Sequence, residues 1–201
     1  MPHFRWWQTI YSQHNLPMLA RICTFILRLF GWRIEGRYAS ELPKVITIVV
    51  PHTSNWDFPL GLLVRATLKT KIRFIAKSSL FKPPFGWLFW WLGGYPVERN
   101  RSTNFEQTMT EIYQKEPKFH TVIAPEGTRS KVDKLKTGFY HIALGGGVAI
   151  VMFQFDWGRK VVRFREPFYP TGNMEADFKV IDDYFRGIKG KNPEQGYLFE
   201  S

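Results

Sequence analysis

The sequence predicts a single α/β domain in which a mixed or largely parallel sheet is covered by helices, with an N-terminal amphipathic helical segment. The first reason is that short runs of β-branched and aromatic residues alternate with longer stretches of helical apolar spacing. The second is length, because 201 residues suit one domain with a substantial core. We place the helical segment at residues 1–34, as a membrane-interface element, and the α/β domain at residues 35–201.

The clearest strand is residues 45–50 (VITIVV), which is β-branched throughout and apolar except for Thr47. The predicted strands cover residues 44–50, 72–76, 95–98, 120–124, 148–155 and 161–167. After an N-terminal helix within residues 16–32, the predicted helices cover residues 56–68, 84–92, 103–115, 136–145 and 175–187. The tail beyond residue 187 is predicted to be irregular, with Tyr197 and Phe199 able to dock on the domain.

His52 and Asp57 follow the first long strand directly, in the sequence PHTSNWD. The carboxyl end of a strand is where α/β folds usually carry their binding groups, and an imidazole oriented by a carboxylate can take a proton from a hydroxyl. Five residues along a helix rotate by about 140°, so the two side chains can meet only if His52 precedes the helix and Asp57 lies in its first turn. The match of Ser54-x-x-Asp57 to a capping box, with Ser54 as N-cap, supports that placement. It also leaves open that Asp57 is only a helix cap and His52 a turn histidine bonded to backbone.

Two later segments each bring an arginine to the end of a short strand. Residues 94–99 (GYPVER) end on Arg99, and residues 121–130 (TVIAPEGTRS) place Arg129 after a Glu-Gly turn. Gly127 lets backbone N–H groups turn toward an anion, and a guanidinium is a forked donor suited to phosphate. Together with the histidine–aspartate pair, these segments indicate a proton acceptor beside an anion-binding site.

Three blocks resemble, in order and separation, the first three motif blocks of the glycerolipid acyltransferases, the family of lysophosphatidate acyltransferase: HTSNWD at residues 52–57, GYPVER at 94–99 and PEGTRS at 125–130. The resemblance covers roughly residues 35–170. The chain departs from the family at residues 148–152, which lack the prolines of the fourth block, and at Glu98, where an aspartate is common. The resemblance implies the α/β fold of the glycerol-phosphate acyltransferases.

The resemblance also implies a role for each matching residue. His52 would be the general base that deprotonates an acceptor hydroxyl, and Asp57 would hold its other ring nitrogen, so that the hydroxyl attacks an acyl thioester directly. The residues implied in binding the acceptor's phosphate are Arg99, Glu126, Gly127, Thr128, Arg129 and Lys77. Lys77 is equally well explained as a solvated lysine at a strand end.

No metal or cofactor is expected beyond the acyl-CoA or acyl carrier protein that serves as co-substrate. His3, His14, His120 and His141 show no metal-ligand spacing with one another or with Cys23. Cys23 is the single cysteine and lies in an apolar helical stretch, which predicts a small buried hydrophobe. One cysteine forms no disulfide within the chain and is consistent with a reducing compartment.

The net charge of +11 favours an acidic partner such as nucleic acid, anionic lipid or a phosphate-bearing substrate. The cations are interleaved with large aromatics, as in residues 81–92 (FKPPFGWLFWWL), which favours a membrane interface, although core burial explains this stretch equally well. Arg21 and Arg28 interrupt the apolar stretch 16–32, so no segment is expected to span a bilayer. We therefore expect a peripheral or monotopic protein at the cytoplasmic face of an anionic membrane, with no nucleic-acid partner.

The expected function is transfer of a fatty acyl group from acyl-CoA or acyl carrier protein to a lysophospholipid hydroxyl. The leading acceptor is 1-acyl-glycerol 3-phosphate, which would give phosphatidate. Another lysolipid, such as a lyso-ornithine lipid, or a phospholipid transacylase would keep His52 and Asp57 and need Arg99 and Arg129 less. A different class, a non-catalytic basic module that binds membrane or nucleic acid, fits the composition but leaves the histidine–aspartate pair unexplained.

Overall fold

The structure is a computed structural model that describes residues 16–68, 70–97 and 102–197. Its strands are β1 (Arg33–Glu35), β2 (Lys44–Val50), β3 (Ile72–Lys77), β4 (Gly94–Val97), β5 (Phe119–Ile123), β6 (Ala149–Asp156) and β7 (Val161–Phe164). Its helices are α1 (Leu16–Leu29), α2 (Asp57–Thr67), α3 (Gly86–Trp91), α4 (Ser102–Lys115), α5 (Gly138–Gly146) and α6 (Met174–Phe185). Short 3₁₀ turns lie at Ser78–Phe81 and Pro193–Gln195.

Within the described residues, the strands form one seven-stranded sheet in the order β1-β7-β6-β2-β5-β3-β4. Every neighbouring pair is parallel except β6 and β7, which are antiparallel. The predicted fold, a largely parallel sheet with helical connections, is therefore confirmed. Because β2 lies between β5 and β6, the residues that follow these three parallel strands meet at one edge of the sheet.

The central strand β2 is buried on both faces, as its near-continuous apolar sequence predicts. Alternate residues point to opposite faces of a strand, so β2 contributes to two separate cores. Ile46, Ile48 and Val50 pack with α4, α5 and α6 on one side. Val45 and Val49 pack with α1 and α2 on the other.

Helix α1 packs on the domain through one face and exposes large apolar residues on another. The packed face carries Ala20, Cys23 and Leu27, so the expected burial of Cys23 is confirmed. The exposed apolar residues of α1 are Met18, Leu19, Ile22, Phe25 and Leu29. The helix ends before Gly31, whose φ of +80° lies in the left-handed region that ends helices. None of the helices in the described part of the chain is long and apolar enough to cross a membrane.

The region of residues 81–92 is a surface rather than a core element. Its helix, α3, is shorter than predicted, and Phe85, Trp87, Trp90 and Trp91 are all exposed. Core burial, the alternative explanation for this aromatic run, therefore does not account for these four side chains.

Candidate active site

His52 and Asp57 meet as the sequence predicts. His52 lies two residues beyond β2, Asp57 is the first residue of α2, and His52 Nδ1 is 3.0 Å from Asp57 Oδ2. An ionised carboxylate can only accept, so Nδ1 carries the proton of this hydrogen bond. In the neutral imidazole the other ring nitrogen, Nε2, then carries no proton and can accept one from a substrate hydroxyl.

The capping box forms only in part. The Ser54 backbone N–H donates to Asp57 Oδ2 at 2.9 Å, which is the carboxylate half of that motif. Ser54 Oγ, however, accepts from the Trp56 N–H at 3.2 Å, and Trp56 occupies the N-cap position with no side-chain cap. The prediction that Ser54 is the N-cap is therefore wrong, because α2 begins two residues later than that placement requires. Asp57 shapes the turn and holds His52 at the same time.

Trp157 makes a contact with Asp57 that sequence reasoning missed. It follows β6 directly, and its indole Nε1–H donates to Asp57 Oδ1 at 2.7 Å. The Asp57 carboxylate, which is only 2% exposed, thus has three donors: the imidazole, the Ser54 N–H and the indole. The position of Trp157 in the sequence could have indicated this contact. A tryptophan that directly follows a strand next to β2 lies at the edge of the sheet that carries His52.

Glu126 lies behind the His52 turn rather than in the cavity wall. Its Oε2 accepts the backbone N–H of His52 at 2.7 Å, and the residue is 2% exposed. Burial raises the pKa of Glu126 to about 7, against the opposing effect of the His52 N–H donor. The contact supports the backbone of the histidine; the predicted role of Glu126 in the phosphate pocket stays a prediction.

A cavity of about 1110 Å³ opens beside the pair. The ionisable or polar residues around it include His52, Asp57, Thr128, Arg129 and Lys136. Much of the remaining wall is apolar and comes from α2 and the sheet, including Val49, Val64, Leu68, Ile72, Phe153, Phe155 and Phe164. Arg65 and Glu106 also line the cavity. It therefore places a proton acceptor and the cations of Arg129 and Lys136 next to space that suits a hydrocarbon chain.

The predicted phosphate-binding residues are distributed unevenly. Gly127, Thr128 and Arg129 line the cavity, and Gly127 has a φ of +68°. Lys136, which sequence reasoning did not assign, lies so close over Gly127 that a Cβ at that position would meet its ammonium group. The left-handed φ is what favours glycine at residue 127, because the flexible end of Lys136 could move away from a Cβ.

Of the two other predicted cations, Lys77 lies away from the cavity and Arg99 is not described. Lys77 is exposed at the end of β3 and does not line the cavity. Arg99 lies outside the described residues, as does Glu98. Their proposed contacts with phosphate stay predictions.

The C-terminal segment packs against the His52 turn. Asn192 donates through its backbone N–H to Thr53 Oγ1 at 3.1 Å and through Nδ2 to the Thr53 carbonyl at 2.9 Å. Gly190 lies against Thr53 and Pro51 with no room for a Cβ. Tyr197 is buried, so its expected docking is confirmed, whereas Phe199 lies outside the described residues.

The other histidines of the described chain lie away from the pair. His120 is buried between the Tyr38 hydroxyl and the Leu42 carbonyl, each at 2.8 Å, and burial lowers its pKa. His141 is exposed on α5. Among the residues that the structure describes, no three His, Cys, Asp or Glu side chains are grouped to hold a metal ion. That the protein needs no metal or cofactor stays a prediction.

Comparisons with known proteins show the family of this chain. A model of the acyltransferase family matches residues 11–155. The 1-acyl-sn-glycerol-3-phosphate acyltransferase of Haemophilus influenzae is 28% identical over 211 residues, which cover 91% of this chain and 86% of that protein. The Escherichia coli enzyme of the same name is 30% identical over 131 residues, which cover 61% of this chain and 52% of that protein.

A solved structure shows the same fold. The crystal structure of the 1-acyl-sn-glycerophosphate (LPA) acyltransferase PlsC from Thermotoga maritima matches with a TM-score of 0.57 at 21% identity. The match covers 88% of this chain and 79% of that chain. The family model spans well over half of the sequence, so this protein is an acyltransferase and belongs to the glycerolipid acyltransferase family.

Proposed function

We propose that this enzyme transfers a fatty acyl group from acyl-CoA or acyl carrier protein to the free hydroxyl of 1-acyl-glycerol 3-phosphate, forming phosphatidate. The observation that carries the proposal is the hydrogen bond between His52 and Asp57 in the wall of a largely apolar cavity that also holds Arg129 and Lys136. The relatives from H. influenzae and E. coli are named for this acceptor.

In the proposed reaction His52 acts as the general base. Its Nε2 takes the proton of the acceptor hydroxyl while the oxygen bonds to the thioester carbonyl carbon. Asp57 keeps the ring in the required tautomer and stabilises the imidazolium that forms. The carbon–sulfur bond then breaks, and the imidazolium returns the proton to the leaving thiolate. Both substrates are consumed in one transfer, so no acyl-enzyme is needed.

Charge and shape support the choice of substrates. A phosphomonoester suits the guanidinium of Arg129 and the ammonium of Lys136, which line the cavity together. Arg99 and Lys77 are proposed as further cations for the same phosphate. The apolar wall extends beneath α2 as far back as Thr47 in β2. Strands rise about 3.3 Å per residue, so Thr47 lies about 10 Å from Val50, the last residue of β2. Apolar space of this depth suits an acyl chain.

We further propose that the enzyme works at the cytoplasmic face of a membrane as a peripheral or monotopic protein. The exposed apolar residues of α1 and the exposed tryptophans of α3 support this, since side chains of these types favour the membrane interface. The net charge of +11 favours an anionic surface.

Mass-spectrometric detection of acylated product tests the function. Purified protein receives acyl-CoA or acyl carrier thioesters and a panel of lysolipids in detergent. We expect phosphatidate from the wild type and a loss of about 10²–10⁴-fold in rate for His52→Ala, the usual contribution of a general base. His141→Ala, which removes an exposed histidine outside the cavity, is the matched control and is expected to keep wild-type turnover.

The other outcomes are informative. Product from a phosphate-free lysolipid alone would keep the mechanism and replace the acceptor. Equal turnover by wild type and His52→Ala would refute the assignment of the base. Membrane binding without transfer from any donor would favour the non-catalytic basic module.

A further inference from the structure

The indole of Trp157 is placed at the carboxylate that orients His52. Parallel strands β2 and β6 are neighbours, with Val50 opposite Gln154, so Trp157 and the His52 turn emerge at the same edge. The indole Nε1–H reaches Asp57 Oδ1 at 2.7 Å, a short distance typical of a hydrogen bond to a charged acceptor.

The three donors on Asp57 divide between its two oxygens. The imidazole and the Ser54 N–H both bond to Oδ2, whereas Oδ1 bonds to Trp157. Asp57 is 2% exposed, so water has little access to replace a lost donor. Among the contacts of the described residues, the indole is the donor to the carboxylate oxygen that His52 does not contact.

Trp157 is itself held by neighbours from both ends of the chain. The Trp32 ring packs on it edge to face, with centroids 4.9 Å apart and planes at 87°. The Lys191 ammonium lies 5.0 Å from the Trp157 ring centroid, and the Trp157 backbone N–H donates to the Lys189 carbonyl at 2.9 Å. The indole therefore presents a fixed donor rather than an adaptable one.

We propose that Trp157 is a positioning residue for acyl transfer, in which the indole N–H fixes the rotation of the Asp57 carboxylate and through it the tautomer and direction of the His52 ring. This inference rests on the proposed function, because it assigns a further part to the same proton transfer. Trp157 acts through Asp57 and does not contact the reacting atoms.

The substitution Trp157→Phe tests the inference, since phenylalanine keeps an aromatic ring and lacks the donor. We expect kcat/KM to fall by about tenfold to a hundredfold, the effect of a lost hydrogen bond to a charged group. The acidic limb of the kcat/KM profile should also move to higher pH. The reason is that a carboxylate with one donor fewer has a less stabilised negative charge, which favours the protonated imidazolium beside it.

Two further variants separate the hydrogen bond from packing. Trp32→Phe removes the same volume from the same aromatic cluster without touching Asp57, and it should keep the wild-type pH profile. Site-specific replacement of Trp157 by β-(3-benzothienyl)alanine keeps the ring shape and exchanges the N–H for sulfur. It should show the same fall in kcat/KM and the same shift of the acidic limb. Because it keeps the packing, it tests the hydrogen bond even where Trp157→Phe folds poorly.

A benzothienyl variant with wild-type kcat/KM and an unmoved acidic limb would overturn the inference. So would a Trp157→Phe profile that coincides with that of Trp32→Phe. Failure of the proposed function looks different: the wild type would transfer no acyl group, or His52→Ala would be as active as the wild type, and the role of Trp157 would fall with it.

Discussion

Asp57 and Glu126 are both buried carboxyl groups beside His52, yet their surroundings differ. Asp57 accepts three hydrogen bonds, whereas the described contacts of Glu126 comprise one, from the His52 backbone N–H. Burial therefore outweighs hydrogen bonding at Glu126 and raises its pKa to about 7. The acid that supports the His52 turn is thus partly protonated near neutral pH.

This pKa predicts a pH-dependent stability that Glu126→Gln should remove. The folded chain holds the Glu126 proton up to about pH 7, whereas an unperturbed glutamate loses it near 4.5. The folded state binds more protons between these values, so the free energy of unfolding falls as pH rises across this window, by about 3 kcal/mol in total. Glutamine keeps an oxygen for the His52 N–H and does not titrate. Urea unfolding at pH 5 and pH 8 should show a smaller loss for Glu126→Gln than for the wild type.

The control for that measurement is Glu166→Gln, which changes an exposed glutamate and should keep the wild-type pH dependence. An equal loss of stability in Glu126→Gln and the wild type would mean that Glu126 is ionised in the fold at pH 5.

At the scale of elements, the C-terminal segment after α6 supports the His52 turn from outside. Asn192 makes two hydrogen bonds to Thr53, the residue next to His52. Thr53 is itself 1% exposed, so the carbonyl and hydroxyl that Asn192 satisfies have little access to water. A segment that is irregular by composition is therefore ordered through its contacts with the His52 turn.

Asn192→Ala should loosen this support. The Gln195 amide also reaches the Thr53 carbonyl, so loss of the Asn192 donor is expected to lower the free energy of unfolding by about 0.5–1.5 kcal/mol. It should also reduce kcat through greater freedom of the His52 turn. Thermal unfolding and acyl-transfer rates measure the two effects. Glu194→Ala, an exposed residue in the same segment, is the matched control. Wild-type stability and kcat in Asn192→Ala would show that the segment does not support the turn.

The elements that sequence reasoning placed well are those with a local signal. The apolar run of β2 and the helix that follows it were placed to within one residue, and the His52–Asp57 contact followed from that placement. The three-residue strand β1 was missed, because it has no periodicity of its own and forms by pairing with β7, about 130 residues away. Its Glu35 bonds to Arg163 at 2.7 Å, a contact that only the fold brings about.

The same distinction explains the site. Motif spacing predicted the pair and the Gly127–Arg129 turn because those residues are close in sequence. Trp157 contacts Asp57 from 100 positions away. Lys136 depends on how the loop after Gly127 folds back, which spacing does not reveal. Long-range partners of a motif therefore had to come from the structure.

At the scale of the whole molecule, the cavity beside His52, the exposed apolar face of α1 and a strong positive net charge occur together. Helix α1 packs on α2, whose first residue is Asp57, so the apolar face of α1 belongs to the layer that covers the cavity. The net charge of +11 adds long-range attraction to an anionic surface. A membrane-bound orientation through this layer would bring the cavity close to a lipid acceptor.

This arrangement predicts how vesicle binding should respond to salt and to mutation. We expect the protein to cosediment with vesicles that contain phosphatidylglycerol more strongly than with pure phosphatidylcholine. The difference should shrink between about 50 mM and about 500 mM salt, because the Debye length falls from roughly 14 Å to roughly 4 Å and screens the charges. The double substitution Ile22→Ser and Phe25→Ser should weaken binding to both kinds of vesicle by about tenfold or more, because each lost side chain contributes about 1.5–3 kcal/mol when fully buried.

Its matched control, Leu144→Ser with Tyr169→Ser, also removes two exposed apolar side chains, but away from α1, and should bind as the wild type does. Equal binding by both double variants would place the membrane contact elsewhere on the molecule, with the aromatic residues of α3 as the next surface to test.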